Sequence, residues 1–180
     1  MKNALSILLL SIVLIGCSEE RVITDDLINK GTEDNPIMYF EGALFNGVGF
    51  DVYSNGQLKY EVNWKDGKRD GLSKTWFEDG QLEEEVNYKD GEEDGLKKGW
   101  YENGQLWYEM NFKDGKIDGL YKTWYSNGQL RFEANNKDSK LDGLFKSWYE
   151  NGQLRSEANY KDGEKEGLWK VWDEDGQRTD

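Results

Sequence analysis

Asp118 to Lys137 reads DGLYKTWYSNGQLRFEANNK, and most of the chain is a set of copies of it. The tetrapeptide Asn-Gly-Gln-Leu at Asn127 recurs at Asn55, Asn103 and Asn151, and as Asp-Gly-Gln-Leu at Asp79, each 24 residues from the next. A sixth copy at Asp175 keeps the step and ends in arginine. Trp76, Trp100, Trp124, Trp148 and Trp172 march at the same interval, as do the Asp-Gly pairs at Asp70, Asp94, Asp118 and Asp142 and the pair Glu166-Gly167. A fixed period of this size marks a repeat architecture, in which each unit buries its surface only against its neighbours.

Asn-Gly suits the tip of a two-residue type I′ hairpin, because both central residues there need φ > 0. A tip at Asn127-Gly128 sets Tyr125 opposite Leu130, Thr123 opposite Phe132 and Tyr121 opposite Ala134 on one face. On the other it sets Trp124 opposite Arg131, Lys122 opposite Glu133 and Leu120 opposite Asn135. Opposed residues interact directly, so charges test the register. Lys74 falls opposite Glu85, Lys98 opposite Glu109, Lys122 opposite Glu133 and Lys146 opposite Glu157. A helix would have to accept frequent glycines and lacks apolar residues at spacings of three and four.

A second turn is expected at Asp66-Gly67, Asp90-Gly91, Asp114-Gly115 and Asp162-Gly163, with Asp138-Ser139 as the one departure. A two-residue tip at Asp114-Gly115 sets Phe112 against Ile117 and Met110 against Gly119, where the glycine leaves room for the larger side chain. A bulged loop here must change the pairing by an even number of residues to keep the faces in phase. The expected fold is all-β: an elongated single-layer antiparallel β-meander of 24-residue hairpin repeats. About twelve strands at ~4.8 Å spacing give a sheet on the order of 50 Å long.

In chain order, residues 1–16 have the layout of a secretory signal, with Lys2 followed by an apolar run from Ala4 to Ile15 that is too short to span a bilayer. Leu14-Ile15-Gly16-Cys17 resembles the bacterial lipobox, which implies cleavage before Cys17 and its lipidation. Cleavage removes one lysine and no acid, taking the net charge from −13 to about −14. Residues 17–36 are acidic, lack a repeat match and read as a flexible tether ending at Pro36. Residues 37–180 form the repeat domain: a worn first copy, about five full copies and a polar terminal half copy. Cys17 is the only cysteine, so no disulfide framework is expected.

The unit Trp-(aromatic)-x-(Asn/Asp)-Gly-Gln-Leu followed by Lys-Asp-Gly-x-x-Asp-Gly resembles the MORN-repeat variant of bacterial YwqK-type antitoxin proteins, over about Ile37 to Asp180. The resemblance implies an elongated β-meander with scaffolding or toxin-neutralising roles. With the lipobox, it places any such toxin outside the inner membrane.

The chain has no histidine, and its one cysteine is assigned to lipid, so the usual general base and thiol nucleophile are missing. The repeated glutamates Glu61, Glu85, Glu109, Glu133 and Glu157 are expected to pair with lysines rather than act as a catalytic acid pair. The Asp-Gly-x-x-Asp-Gly turns lack the alternate-residue acids of a calcium loop, so no metal or cofactor is expected. Asn63, Asn87, Asn111, Asn135 and Asn159 form a column expected to stack amide on amide.

The tryptophan column Trp76, Trp100, Trp124, Trp148 and Trp172 shares the lysine–glutamate face in this reading, with Phe77, Tyr101, Tyr125 and Tyr149 opposite. The tryptophans are the candidate binding face, because a single-layer sheet leaves aromatic surface wet. The acidic charge argues against nucleic acid and for a basic protein partner, a toxin or an envelope protein. The expectation is a non-enzymatic protein-binding module, lipid-anchored in a bacterial cell envelope and facing the periplasm or the surface. Glycan capture by the tryptophans is the alternative.

Overall fold

The computed structural model describes residues 20–179; the signal segment and Cys17 lie outside the described residues. A short cap comes first: β1 (Arg21–Ile23), a 3-10 turn (Thr24–Asp26), β2 (Ile28–Asn29), β3 (Met38–Phe40) and β4 (Ala43–Leu44). The repeats follow as β5 (Gly47–Val52), β6 (Leu58–Lys65), β7 (Lys68–Arg69), β8 (Gly71–Trp76), β9 (Leu82–Lys89), β10 (Glu92–Trp100) and β11 (Leu106–Lys113). The last strands are β12 (Lys116–Trp124), β13 (Leu130–Lys137), β14 (Lys140–Trp148), β15 (Leu154–Lys161) and β16 (Glu164–Val171). From β5 onward each long strand pairs antiparallel with the next in sequence, a meander of consecutive hairpins in one thirteen-stranded sheet.

Residues 21–29 are not the free tether that their acidity suggests. The strand β1 pairs parallel with β5, Arg21 against Val48 and Ile23 against Phe50. Val22 is buried with Phe45 and Trp64, and Leu27 and Met38 pack on this cluster. A few apolar side chains outweigh the surrounding acids, because burial rewards Val22 and Leu27 while the aspartates stay in water. The strands β2–β3–β4 form a separate three-stranded sheet.

The Asp-Gly turn is the two-residue tip expected of it, and the Asn-Gly turn is longer than expected. Asp114 (φ 48°) and Gly115 (φ 72°) both take positive φ, so the Asp-Gly tip is the type I′ turn. At the Asn-Gly end only Gly128 is positive, at 83°. There the Gly128 amide donates to the Tyr125 carbonyl at 2.9 Å and the Tyr125 amide to the Gln129 carbonyl at 2.8 Å. This is a type I turn closed by a left-handed glycine, which inserts a one-residue bulge. Trp124 therefore pairs with Leu130, not Arg131, and the Tyr125–Leu130 pair does not form. Inward of the bulge the expected pairs stand: Thr123 with Phe132, Lys122 with Glu133, Tyr121 with Ala134 and Leu120 with Asn135.

A second irregularity follows each Asp-Gly tip. Phe112 pairs with Ile117 as expected, but Met110 pairs with Tyr121 rather than Gly119. Asp118, Gly119 and Leu120 together oppose Asn111. The slip is two residues, so the faces stay in phase. Gly119 is required by its φ of 111° and not by space for Met110. Three asparagines of the column serve this bulge instead of stacking. Asn87 Nδ2 donates to the Leu96 carbonyl at 2.8 Å, Asn111 Nδ2 to Leu120 at 3.3 Å, and Asn63 to Leu72. A carbonyl left without a ladder partner at a bulge needs such a donor.

One face carries the buried side chains. Thr123, Ala134, Val86, Ser156 and Ala158 are buried, with Ala134 at 0% exposure. Large rings cover these small residues: Tyr121 lies edge-on to Phe132 at 4.8 Å, and Phe145 stacks on Phe132 and meets Tyr160. A single-layer sheet can dry one face this way, by leaning rings along the sheet over small neighbours.

Candidate functional site

The lysine–glutamate face is more continuous than the hairpins alone imply. Lys74, Lys98, Lys122 and Lys146 pair with Glu85, Glu109, Glu133 and Glu157 within hairpins. Lys98 also lies opposite Glu85, Lys122 opposite Glu109 and Lys146 opposite Glu133, across the turns between hairpins. Glu61 and Lys170 extend the row at its ends, and Arg21 closes it on Glu61. Charge thus alternates across every strand from β6 to β16 that joins this row. Nitrogen–oxygen distances of 3.1 to 3.6 Å within hairpins mark half-exposed pairs, each worth at most ~1 kcal/mol. The row has no excess acid to bind with, since each carboxylate sits between two cationic groups.

Along the Asn-Gly rim the hairpins are linked to one another. Tyr53, Tyr101, Tyr125 and Tyr149 donate their phenolic hydrogens to the carbonyls of Trp76, Trp124, Trp148 and Trp172, at 2.7 to 2.9 Å. Beside them Asn55, Asn103, Asn127 and Asn151 donate side-chain amides to the carbonyls of Glu78, Ser126, Glu150 and Glu174. Four tryptophans of the column are thereby held by their backbone, and all five side chains are half-buried. At the opposite rim, the Asp70 and Asp142 carboxylates accept the amides of Asp90 and Asp162, linking one Asp-Gly corner to the next.

One repeat breaks both rim links. Phe77 stands where the other four full repeats have tyrosine, and Asp79 where they have asparagine. Phenylalanine has no hydroxyl, and a carboxylate cannot donate. Asp79 instead accepts from the Gln81 amides at 2.9 and 2.8 Å. A cleft of about 430 Å³ coincides with this break. Its rings are Phe77, Trp100, Tyr101, Trp107 and Tyr108, and its carboxylates are Glu83, Glu84 and Glu102. Trp107 is 45% exposed, lies 5.8 Å from Tyr101 and meets Tyr108 edge-on at 5.1 Å. Burial raises the Tyr108 pKa, reinforced by its hydrogen bond to Glu84, so the ring stays a neutral phenol.

Trp100 and Tyr101 border the same cleft, and Trp148 and Tyr149 border a second one of about 550 Å³. The one-residue bulge at this rim ends the strict alternation that assigned tryptophans and tyrosines to opposite faces. Trp76, Trp124 and Trp172 line neither cleft. The most exposed rings, Trp107 and Trp169 (51%), lie outside the 24-residue column. Periodicity drew attention to the column, whereas the useful signal at Trp107 was its departure from the repeat: the same place holds Lys59, Glu83, Arg131 and Arg155.

The MORN repeat variant family matches the chain at residues 45–66, 69–90, 93–114, 117–138 and 141–162, together more than half of it. No curated protein matches it.

Proposed function

The chain belongs to the MORN repeat variant family, and from that premise we propose that it is a non-enzymatic binding module for a basic protein partner. In this reading it is a lipoprotein, anchored in the bacterial envelope through Cys17, and serves as a YwqK-type immunity protein or an envelope scaffold. One observation carries the proposal. The chain has 36 acidic against 23 basic residues, and its repeated glutamate row is already matched by lysine, so surplus acid is left for a partner, part of it at the Asn-Gly rim, where Glu83 and Glu102 border the exposed Trp107 ring. Acidic rims steer a basic partner, and rigid aromatics supply contact area at low entropic cost. The missing histidine and the lysine-paired glutamates support a role without catalysis.

The test is crosslinking capture from intact cells with the anchored protein, beside a variant whose tryptophan column is replaced. A captured basic protein whose association slows as salt rises supports the proposal. Capture of no protein, with depletion of the chain by insoluble wall polysaccharide, replaces it with glycan binding. The exposure of Trp107 and Trp169 favours that second reading, since flat indole faces stack on sugar rings.

A further inference from the structure

We infer that the cleft at the broken rim link is a seat for a cationic side chain, arginine above all, presented by the partner. The inference rests on the protein-binding reading and names the group recognised. The chain's own repeats supply the argument. In the fourth repeat the Arg131 guanidinium lies over the Tyr125 ring, 6.0 Å from its centroid, and in the fifth Arg155 lies over Tyr149 at 5.5 Å. Both arginines follow the Gln-Leu pair of their turn. This geometry is where a rim tyrosine takes a planar cation on its face.

Around the cleft the same two positions are Glu83 and Trp107, so no cation of the chain fills that place. The exchange leaves the Tyr101 and Trp107 rings bordering an opening that Glu83 and Glu102 flank, both exposed and without an ion pair among the described residues. Glu84 is already engaged by Lys97 at 3.6 Å and by the Tyr108 phenol, so it holds the floor in place. Aromatic faces with unmatched carboxylates around the same opening select a cation and reject an anion or a neutral chain. A second copy of this strongly acidic chain fits the same opening poorly.

The probe is a short arginine peptide against the full chain in non-ionic detergent, followed by calorimetry and by the indole N–H signals. Its citrulline counterpart keeps the shape and loses the charge. The seat requires that the arginine peptide bind at least tenfold more tightly and shift the indole signal that Trp107→Arg deletes. That substitution places in the cleft the residue the fourth and fifth repeats already carry, so the fold tolerates it, and peptide affinity should fall about tenfold. Glu83→Gln with Glu102→Gln should weaken binding and flatten its salt dependence. Equal binding of the two peptides, or no binding, overturns the seat. Arginine binding unchanged by Trp107→Arg also overturns it, yet leaves a basic partner on some other surface. A Trp107 shift with chitooligosaccharide but not with arginine makes the cleft a glycan site.

Discussion

The Tyr101 phenol donates to the backbone carbonyl of Trp124, 2.8 Å away and 23 residues further along the chain. This bond joins neighbouring hairpins at their tips, where no sheet ladder runs. Three other repeats make it, and Phe77 omits it, with the adjacent Asp79 omitting its companion. The rim is therefore a second line of cohesion beside the sheet, interrupted at one place.

Removing one link should weaken the array, and adding the missing pair should strengthen it. Tyr125→Phe should lower stability by about 0.5–1.5 kcal/mol, the usual net worth of one hydrogen bond. Phe77→Tyr combined with Asp79→Asn should raise it by a similar amount. Urea midpoints of the three proteins measure both changes.

Gly119 should tolerate no side chain. Its φ of 111° lies where L residues rarely go, and a Cβ would approach the Asn111 Cβ to 3.5 Å. Gly119→Ala should cost about 1–3 kcal/mol. Gly167→Ala, at φ 75° with nothing within 4 Å, should cost less in the same unfolding experiment.

Reversing one charge in the alternating row should be felt on both sides. Glu133→Lys puts an ammonium group between Lys122 and Lys146. Loss of up to ~1 kcal/mol is expected at low salt, shrinking in 1 M salt, because the side chains here are about 30% exposed and screening reaches them. A loss that ignores salt would point to packing instead.

Glu157 should contribute to acid sensitivity. The hydrogen bond from Lys170 at 2.8 Å lowers its pKa; partial burial opposes the shift, and Lys146 adds to it. A carboxylate whose pKa is lower in the folded state stabilises the fold above its ordinary value of 4.5, and that contribution is lost as pH falls through the lowered value. Glu157→Gln should be less stable than the parent at pH 7 and approach it as the pH falls below 4.5 and through the lowered value. Thermal unfolding across that range makes the comparison.

Much of this was readable residue by residue. The 24-residue step and the Lys122–Glu133 pairing required only alternation and turn-forming dipeptides. Two things escaped. The left-handed glycine at Gly128 closes a longer turn than Asn127-Gly128 implies, because one positive φ is enough when a type I turn precedes it. The acid-rich stretch before Pro36 hid Val22, whose burial depends on a groove made by Phe45 and Trp64 far along the chain.

By itself the sequence determined the strands of the repeats, their order and the lysine–glutamate pairs within each hairpin, since hairpin pairing is local and a period of two leaves little freedom. Tertiary structure decided which rings stay wet and where the rim opens. A hydroxyl missing at Phe77 has no meaning within its own hairpin; it matters only because the Trp100 carbonyl of the next one lies where a tyrosine would have reached.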